Sequence, residues 1–168
     1  DTAASMLLLA LIFYLHYEAP EEEQNFAMVM EMLRAAAIED EEDNRPSPLD
    51  NLFADLEMDN PDHIALKYYR SYHSGSAKTL KSIQITLAAR LEKFNLESLA
   101  ALTSADELDL ASMGEKKTAL FALIPDNDSS FNFLVSILYT QLFQQLFYSA
   151  DHIHGGSLPI PVHMLMDE

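Results

Sequence analysis

Two adjacent carboxylates stand directly after an apolar run at the end of the sequence. Residues 162–166, Val-His-Met-Leu-Met, have the composition of a buried strand, and Asp167 and Glu168 follow them. Open α/β sheets bind ligands at the carboxyl edge of their strands. In P-loop nucleotide hydrolases an acid at this place holds Mg²⁺ on the phosphates, and a second acid can activate the attacking water. The pattern fits such a site, and it also fits a strand that simply ends in two solvated acids.

A phosphate-binding loop should accompany a site of that kind. The pattern G-x-x-x-x-G-K-[ST] is not matched, because none of the four glycines is followed by lysine. The stretch Ser74-Gly-Ser-Ala-Lys-Thr79 is superficially similar, but Tyr72 and Ala77 stand where glycine is needed. We therefore expect that this chain alone does not hydrolyse nucleotide.

A second group of candidate residues combines cations with aromatic rings around the Gly75 turn. Its members are Lys67, Tyr68, Tyr69, Arg70, Tyr72, Lys78 and Lys81. Tyrosines that stack on bases, beside cations that meet phosphates, would suit single-stranded DNA. The alternative, which the sequence favours, is a helical hairpin with half-buried tyrosines and a solvated basic face.

The residue types give little support for thiol sites, metal sites or a serine nucleophile. The chain has no cysteine, which excludes disulfides, thiolate metal sites and thiol catalysis. His152 and His154 have alternating spacing, but no third ligand is evident nearby, so we predict no metal site there. No serine stands in a nucleophile elbow.

The net charge of −17 excludes a protein that grips nucleic acid over its whole surface. The charge is uneven, since residues 18–62 carry 15 acids and 2 bases whereas residues 63–103 carry 6 bases and 2 acids. The run Glu39-Asp-Glu-Glu-Asp43 repels itself, which predicts an exposed linker over residues 39–47. We expect this run to repel DNA and to attract a basic protein.

The elements that position these residues are mainly helices. Apolar spacing predicts helices over residues 2–17, from Pro20 to 38, over 48–57, from a cap at Asn60 to 74, over 76–94, over 95–103 and over 129–150. The apolar run at residues 6–15 is roughly half of the twenty residues that span a membrane, which predicts a buried core helix. The apolar runs 118–124 and 162–166 flank the last helix, which predicts a βαβ unit with adjacent parallel strands.

With these residues in view, the sequence resembles the type IV secretion coupling proteins, the ATPases of conjugative DNA transfer, especially those of Gram-positive mobile elements. The resemblance is carried by Phe121-Ala-Leu-Ile-Pro-Asp-Asn-Asp128, by Leu138-Tyr-Thr-Gln-Leu-Phe-Gln-Gln145 and by residues 158–168. Residues 1–110 are similar to the all-α domain of that family.

The resemblance implies a fold that is mainly α, with a bundle-like all-α domain at residues 1–113 and a βαβ piece of a RecA-like core at 114–168. It implies that Asp167 and Glu168 form the Walker B site, where Asp167 binds Mg²⁺ through water and Glu168 activates water. It also implies that the all-α domain recognises a relaxase, a relaxosome accessory protein or single-stranded DNA.

The resemblance assigns ATP, Mg²⁺, a membrane anchor and a homo-hexamer to the parent protein, at the cytoplasmic face of the cell membrane. The chain starts at Asp1 without methionine and lacks an anchor and a Walker A loop, so it looks like a cytoplasmic piece of a longer protein. The alternative is a non-enzymatic helical adaptor, which the missing P-loop and the acidic segment would suit.

Overall fold

The computed structural model describes residues 2–36, 45–127 and 129–166. Within these ranges the α-helices are α1 (Thr2–Glu18), α2 (Phe26–Ala35), α3 (Pro48–Asp59), α4 (Ile64–His73), α5 (Ala77–Arg90), α6 (Glu97–Leu102) and α7 (Asn132–Tyr148). Short 3₁₀ turns lie at Glu21–Glu23, Glu92–Asn95 and Leu110–Ser112, and a π-helical turn at Ser149–Ile153 continues α7. The prediction of a mainly helical protein is confirmed.

The chain divides into two compact units, a helical unit up to Ala105 and a C-terminal unit from Asp106. The domain boundary expected from the sequence lies a few residues further along, between residues 113 and 114.

The helical unit is built around α1. Leu7, Leu11 and Leu15 recur at intervals of four residues along this helix, and all three are buried. Helix α4 packs along α1, and α2 and α5 also contact it. Since each buried leucine contributes about 1.5–3 kcal/mol, α1 is the main apolar anchor of the unit, as its composition predicts.

Helix α3 packs on α4 through an aromatic pair. The ring of Phe53 lies parallel to the ring of Tyr69, with 3.8 Å between the centroids, and Phe53 is only 2% exposed. At its start, α3 is fixed by a capping box in which Ser47 and Asp50 bind each other's backbone N–H groups. The start of α3 is therefore defined both by local hydrogen bonds and by packing.

The start of α2 differs from the prediction. The helix predicted to begin at Pro20 is a 3₁₀ turn over Glu21–Glu23, and α2 itself begins at Phe26. The side chain of Asn25 accepts a hydrogen bond from the Met28 N–H at 3.0 Å, which satisfies a free donor of the first turn. The cap therefore decides where this helix begins.

The start of α4 also differs. The sequence predicts a cap at Asn60, but Asn60 terminates α3, and His63 caps α4 instead. The Nδ1 atom of His63 accepts a hydrogen bond from the Ala65 N–H at 3.1 Å. Histidine is an uncommon cap, which is why composition alone points to the asparagine.

The C-terminal unit has a small apolar cluster. Leu142 and Leu146 of α7 pack against Met113, and Leu110, Leu158 and Met164 surround them. Gly114 has a φ of +88°, and a Cβ there would lie 3.0 Å from the side chain of Leu158. Its carbonyl accepts a hydrogen bond from the Ile160 N–H at 2.9 Å, so the backbone passes closely over this cluster.

The predicted βαβ unit is not formed by the described residues. Its helix is present as α7, but residues 118–124 and 162–166 have no strand structure and do not pair, so the prediction of adjacent parallel strands is wrong for them. A strand exists only through ladder hydrogen bonds to a neighbour, and two strands alone make a marginal sheet. Phe121, Leu123 and Leu165 are 84%, 95% and 97% exposed, so these runs also bury little apolar surface.

Candidate functional site

The cations of the candidate DNA-binding group lie on the hairpin of α4 and α5. Lys67 and Arg70 lie on α4, which ends before the Gly75 turn. Ser76 caps α5 after the turn, and Lys78 and Lys81 lie on α5. Lys67 and Lys78 are exposed, and Lys81 is half-buried. The guanidinium of Arg70 donates to Glu57 Oε1 of α3 at 2.6 Å and to the Pro61 carbonyl at 3.3 Å. One of the four cations is therefore already paired with an acid.

The tyrosines of the same hairpin pack inward. Tyr69 and Tyr72 are 7% and 3% exposed. Tyr68 is half-buried, and its ring stacks on Phe13 of α1 with 5.5 Å between centroids. A base can stack only on a ring that has an open side, so the two buried rings serve the core of the helical unit.

A polar network fixes α3 to the end of α4. The hydroxyl of Tyr69 donates to Asp50 Oδ1 at 2.5 Å, and His73 Nε2 lies 3.0 Å from the same oxygen. Asp50 Oδ2 accepts from the N–H and the hydroxyl of Ser47 at 2.7 and 2.8 Å. These side chains line a cavity of about 20 Å³, to which Gln84 also contributes.

The two titratable groups of this hydrogen bond, the Asp50 carboxyl and the Tyr69 hydroxyl, have pKa values shifted in opposite directions. Burial works against the charge of Asp50, but the hydrogen bonds from Tyr69 and Ser47 lower the pKa of this carboxyl below its usual value. Burial and the bond to Asp50 raise the pKa of the Tyr69 hydroxyl. The carboxylate therefore stays ionised and the phenol stays protonated near neutral pH, which suits a structural clasp and not an acid–base catalyst.

Three exposed carboxylates, from three different elements, lie close enough to Tyr14 for their charges to act on its hydroxyl. Burial raises the pKa of the Tyr14 hydroxyl, and the negative charges of Glu18, Asp55 and Glu23 raise it further. Glu18 ends α1, Glu23 ends the first 3₁₀ turn, and Asp55 lies in the middle of α3. We call Glu18, Glu23 and Asp55 the acidic face.

One member of the acidic face is held in place by His63. Because Nδ1 of His63 accepts the Ala65 N–H, its Nε2 carries the proton and donates to Glu18 Oε1 at 3.2 Å. The ring of Tyr17 packs edge-on against His63 and remains 59% exposed. The end of α1 thus presents a fixed carboxylate next to an accessible aromatic ring.

The comparisons with known proteins identify the family. A family model described as type IV secretory system conjugative DNA transfer matches residues 1–168. The chain belongs to this family. No curated protein and no solved structure gives a significant match to it.

Membership of the conjugative DNA transfer family confirms the resemblance to coupling proteins and a part in conjugative transfer through a type IV secretion machinery. The Walker B residues of this family would be Asp167 and Glu168, which lie outside the described residues. The acidic run from Glu39 to Asp43 also lies outside them. Both remain predictions from the sequence.

The histidine pair of this family member does not converge on one point. His154 Nε2 lies 3.1 Å from Glu115 Oε1, which also accepts from the Ser149 hydroxyl at 3.4 Å. His152 instead contacts the Tyr148 carbonyl at 3.2 Å. Among the residues that the structure describes, no three His, Cys, Asp or Glu side chains are grouped to hold a metal ion.

Across residues 2–36, 45–127 and 129–166, no helix is both long and apolar enough to cross a bilayer. This includes α1, whose apolar stripe is buried in the helical unit.

Sequence reasoning missed two arrangements that the fold creates. The Asp50 network joins residues about twenty positions apart, and the spacing of Tyr69, Tyr72 and His73 on one face of α4 is its only local trace. The three acids of the acidic face lie in the acidic segment 18–62, but the sequence did not single them out from the other acids of that segment. Which acids act on Tyr14 depends on the packing of α1 against α4 and of α4 against α3.

Proposed function

We propose that the helical unit recognises a basic protein component of the transferred DNA–protein substrate, a relaxase or a relaxosome accessory protein. The observations that carry the proposal are the carboxylate of Glu18, which lies 3.2 Å from His63 Nε2, and the charges of Glu23 and Asp55, which act with it on the Tyr14 hydroxyl. The exposed ring of Tyr17 beside Glu18 offers an apolar anchor within this charged surface. Aromatic anchors surrounded by charge are typical of protein interfaces.

Charge and packing favour a protein partner over DNA. The acidic face repels phosphates, and the hairpin that could attract them has Arg70 paired with Glu57 and two of its three tyrosines buried. Exposed cations at Lys67 and Lys78 keep single-stranded DNA as the second candidate. DNA held by these two lysines alone would bind weakly and with a shallow dependence on salt.

The test measures binding of the purified chain to the relaxase and the accessory proteins of the same conjugative element. Replacing both Glu23→Lys and Asp55→Lys reverses two charges of the acidic face without touching the contact between Glu18 and His63. Reversing an attractive charge at an interface typically costs more than 1 kcal/mol, so we expect affinity to fall at least about tenfold.

The matched control is Glu92→Lys with Glu97→Lys, which makes the same change in net charge in the basic half of the helical unit. We expect this control to reduce affinity by less than about threefold, through long-range charge alone. Equal losses in the two double variants would reject the acidic face as the binding site. A labelled single-stranded oligonucleotide, tested with Lys67→Glu and Lys78→Glu, measures the second candidate.

We propose that this chain is part of a longer coupling protein with a full nucleotide-binding core. That longer protein would be a membrane-anchored hexameric ATPase that works at the cytoplasmic face of the cell membrane. Bound ATP with Mg²⁺ would supply the phosphoryl transfer, with Asp167 holding Mg²⁺ through water and Glu168 activating the attacking water. The described residues do not fit the phosphates of ATP, because none of their glycines is followed by the lysine of a phosphate-binding loop. We therefore derive no catalytic step for this chain.

This part of the proposal is tested in the full-length coupling protein. Glu168→Gln should preserve ATP binding and abolish hydrolysis, because only the group that activates water changes. ATP binding by equilibrium titration and phosphate release at steady state separate the two effects. Hydrolysis at the wild-type rate would exclude the catalytic role of Glu168.

A further inference from the structure

The C-terminal unit contains a polar cleft that the proposed function does not use. The cleft has a volume of about 550 Å³ and lies between the segment around the last 3₁₀ turn and the second half of α7. Its lining consists of Asp106, Asp109, Leu110, Ala111, Gln141, Gln144, Gln145 and Tyr148. The volume is within the range of sites that bind small ligands or short peptide segments.

One face of α7 is specialised for this cleft. Gln141, Gln144, Gln145 and Tyr148 follow the spacing i, i+3, i+4 and i+7, which places them on a single stripe of the helix. The neighbouring stripe, with Leu142 and Leu146, is buried in the apolar cluster. Polar residues thus form one coherent stripe in a helix whose other positions are largely apolar.

The three glutamine side chains of the cleft are available for hydrogen bonding. All three residues are exposed to solvent, so their amides are accessible to a ligand. Each amide offers two N–H donors and one carbonyl acceptor. A peptide backbone presents the complementary groups, N–H and C=O, at regular intervals, so the stripe matches an extended peptide.

The charge of the cleft selects a cation. Asp106 and Asp109 contribute two carboxylates, and Lys116 Nζ lies 3.9 Å from Asp109 Oδ2, so the three groups together carry a net negative charge. Phosphate groups would be repelled here, which disfavours nucleotides and nucleic acid. The ring of Tyr148 stacks on His152 and is 56% exposed, so it can cover the stem of a long side chain.

We propose that this cleft binds an extended peptide segment that carries arginine. The glutamine stripe hydrogen-bonds the peptide backbone, and Asp106 or Asp109 pairs with the guanidinium, whose planar fork matches a carboxylate with two parallel bonds. Tyr148 packs on the arginine stem. The site lies in the C-terminal unit, so it is distinct from the acidic face and stands or falls independently of it.

The experiment titrates the purified chain with acetyl-Gly-Arg-Gly-Arg-Gly-amide, labelled with a fluorophore, at physiological salt. Asp106→Asn with Asp109→Asn removes both charges, while asparagine can still accept the Leu108 N–H and tolerates the φ of +45° at position 109. The matched control, Asp126→Asn with Asp151→Asn, removes two exposed charges of the same unit outside the cleft. We expect at least about tenfold weaker binding in the first and less than about twofold in the second.

A second variant tests the amide stripe without changing net charge. Gln144→Ala with Gln145→Ala should weaken peptide binding about fivefold, since each lost hydrogen bond is worth roughly 1 kcal/mol or less when water competes. If the cleft variant and its control weaken binding equally, or if the alanine variant binds like wild type, the peptide is attracted only by net charge and the proposal is wrong. Glu23→Lys with Asp55→Lys should leave this binding nearly unchanged, which separates this site from the acidic face.

Discussion

The clasp between α3 and α4 yields a prediction that tests how the helical unit is held together. Tyr69→Phe removes the hydroxyl that donates to Asp50 Oδ1 at 2.5 Å. It keeps the ring that stacks on Phe53 at 3.8 Å, so no cavity is created in the core. The substitution therefore isolates one hydrogen bond to a partly buried carboxylate.

The expected magnitude follows from the charge and the surroundings of Asp50. A hydrogen bond to a charged group contributes about 1.5–3 kcal/mol, and Ser47 and His73 remain to compensate in part. We expect Tyr69→Phe to lower the free energy of unfolding by about 1.5 kcal/mol, toward the lower end of that range. Tyr72→Phe, which removes a neutral hydroxyl that accepts from Gln84 at 2.8 Å, should cost about 1 kcal/mol or less.

The dependence on pH gives an independent check. In the folded protein the pKa of Asp50 lies below its usual value, so the clasp stabilises the protein above pH ~4 and loses this contribution as the pH falls through the lowered pKa. The difference in stability between wild type and Tyr69→Phe should therefore shrink below about pH 4. The difference between wild type and Tyr72→Phe should stay nearly constant there.

Urea denaturation followed by circular dichroism measures both differences, and hydrogen exchange of α3 and α4 amides assigns them to the helical unit. A double-mutant cycle with Asp50→Ala and Tyr69→Phe isolates the pair. A coupling energy near zero, or a stability difference that does not change in acid, would refute the clasp as an energetic feature.

Two further pairs of substitutions test other local features by the same urea denaturation. His63→Ala should cost about 1 kcal/mol, because it removes the cap of α4, whereas His63→Asn should recover most of that loss although it cannot reach Glu18. Gly114→Ala should destabilise the C-terminal unit by about 1–2 kcal/mol, because its φ is +88° and Leu158 is close, whereas Gly75→Ala, which has only ordinary contacts, should cost less than about 1 kcal/mol. A His63→Ala protein as stable as wild type, or equal effects of the two glycine changes, would contradict these interpretations.

The helices could be predicted because their signal is local. In α1 and α7 apolar residues fill one continuous segment, and its length and composition give the element and its approximate extent. The predicted helix over residues 2–17 is observed as Thr2–Glu18, and the one over 129–150 as Asn132–Tyr148. Starting points were less predictable, since they depend on which side chain reaches a free N–H. The side chains of Asn25 and His63 accept these N–H groups, so α2 and α4 begin after them and not at the predicted starts, Pro20 and Asn60.

The strands could not be predicted from composition, because a strand forms only where its backbone hydrogen-bonds to a neighbouring segment. Residues 118–124 and 162–166 have the apolar content of buried strands, but among the described residues neither has a neighbour to complete a ladder. Leu123 and Leu165 are almost fully exposed, while Met164 packs on the apolar cluster. Apolar content alone therefore did not show whether either segment pairs as a strand, or with which neighbour.

The cations and tyrosines on α4 are close together in the sequence, but the fold places them on different sides of the helix. Lys67, Tyr68, Tyr69 and Arg70 are consecutive, but a helix turns by about 100° per residue, so neighbours point in different directions. Tyr69 faces the core with Tyr72, whereas Lys67 and Arg70, three positions apart, share the solvent side. Interleaved rings and cations serve single-stranded DNA only when they share one surface. On α4 the rings are used in the core and the cations lie outside it, so the chemistry that remains accessible in the helical unit is dominated by charge. Within that charge, Glu18, Glu23 and Asp55 come from three elements and act on one side chain, Tyr14, which is why we place the binding surface there.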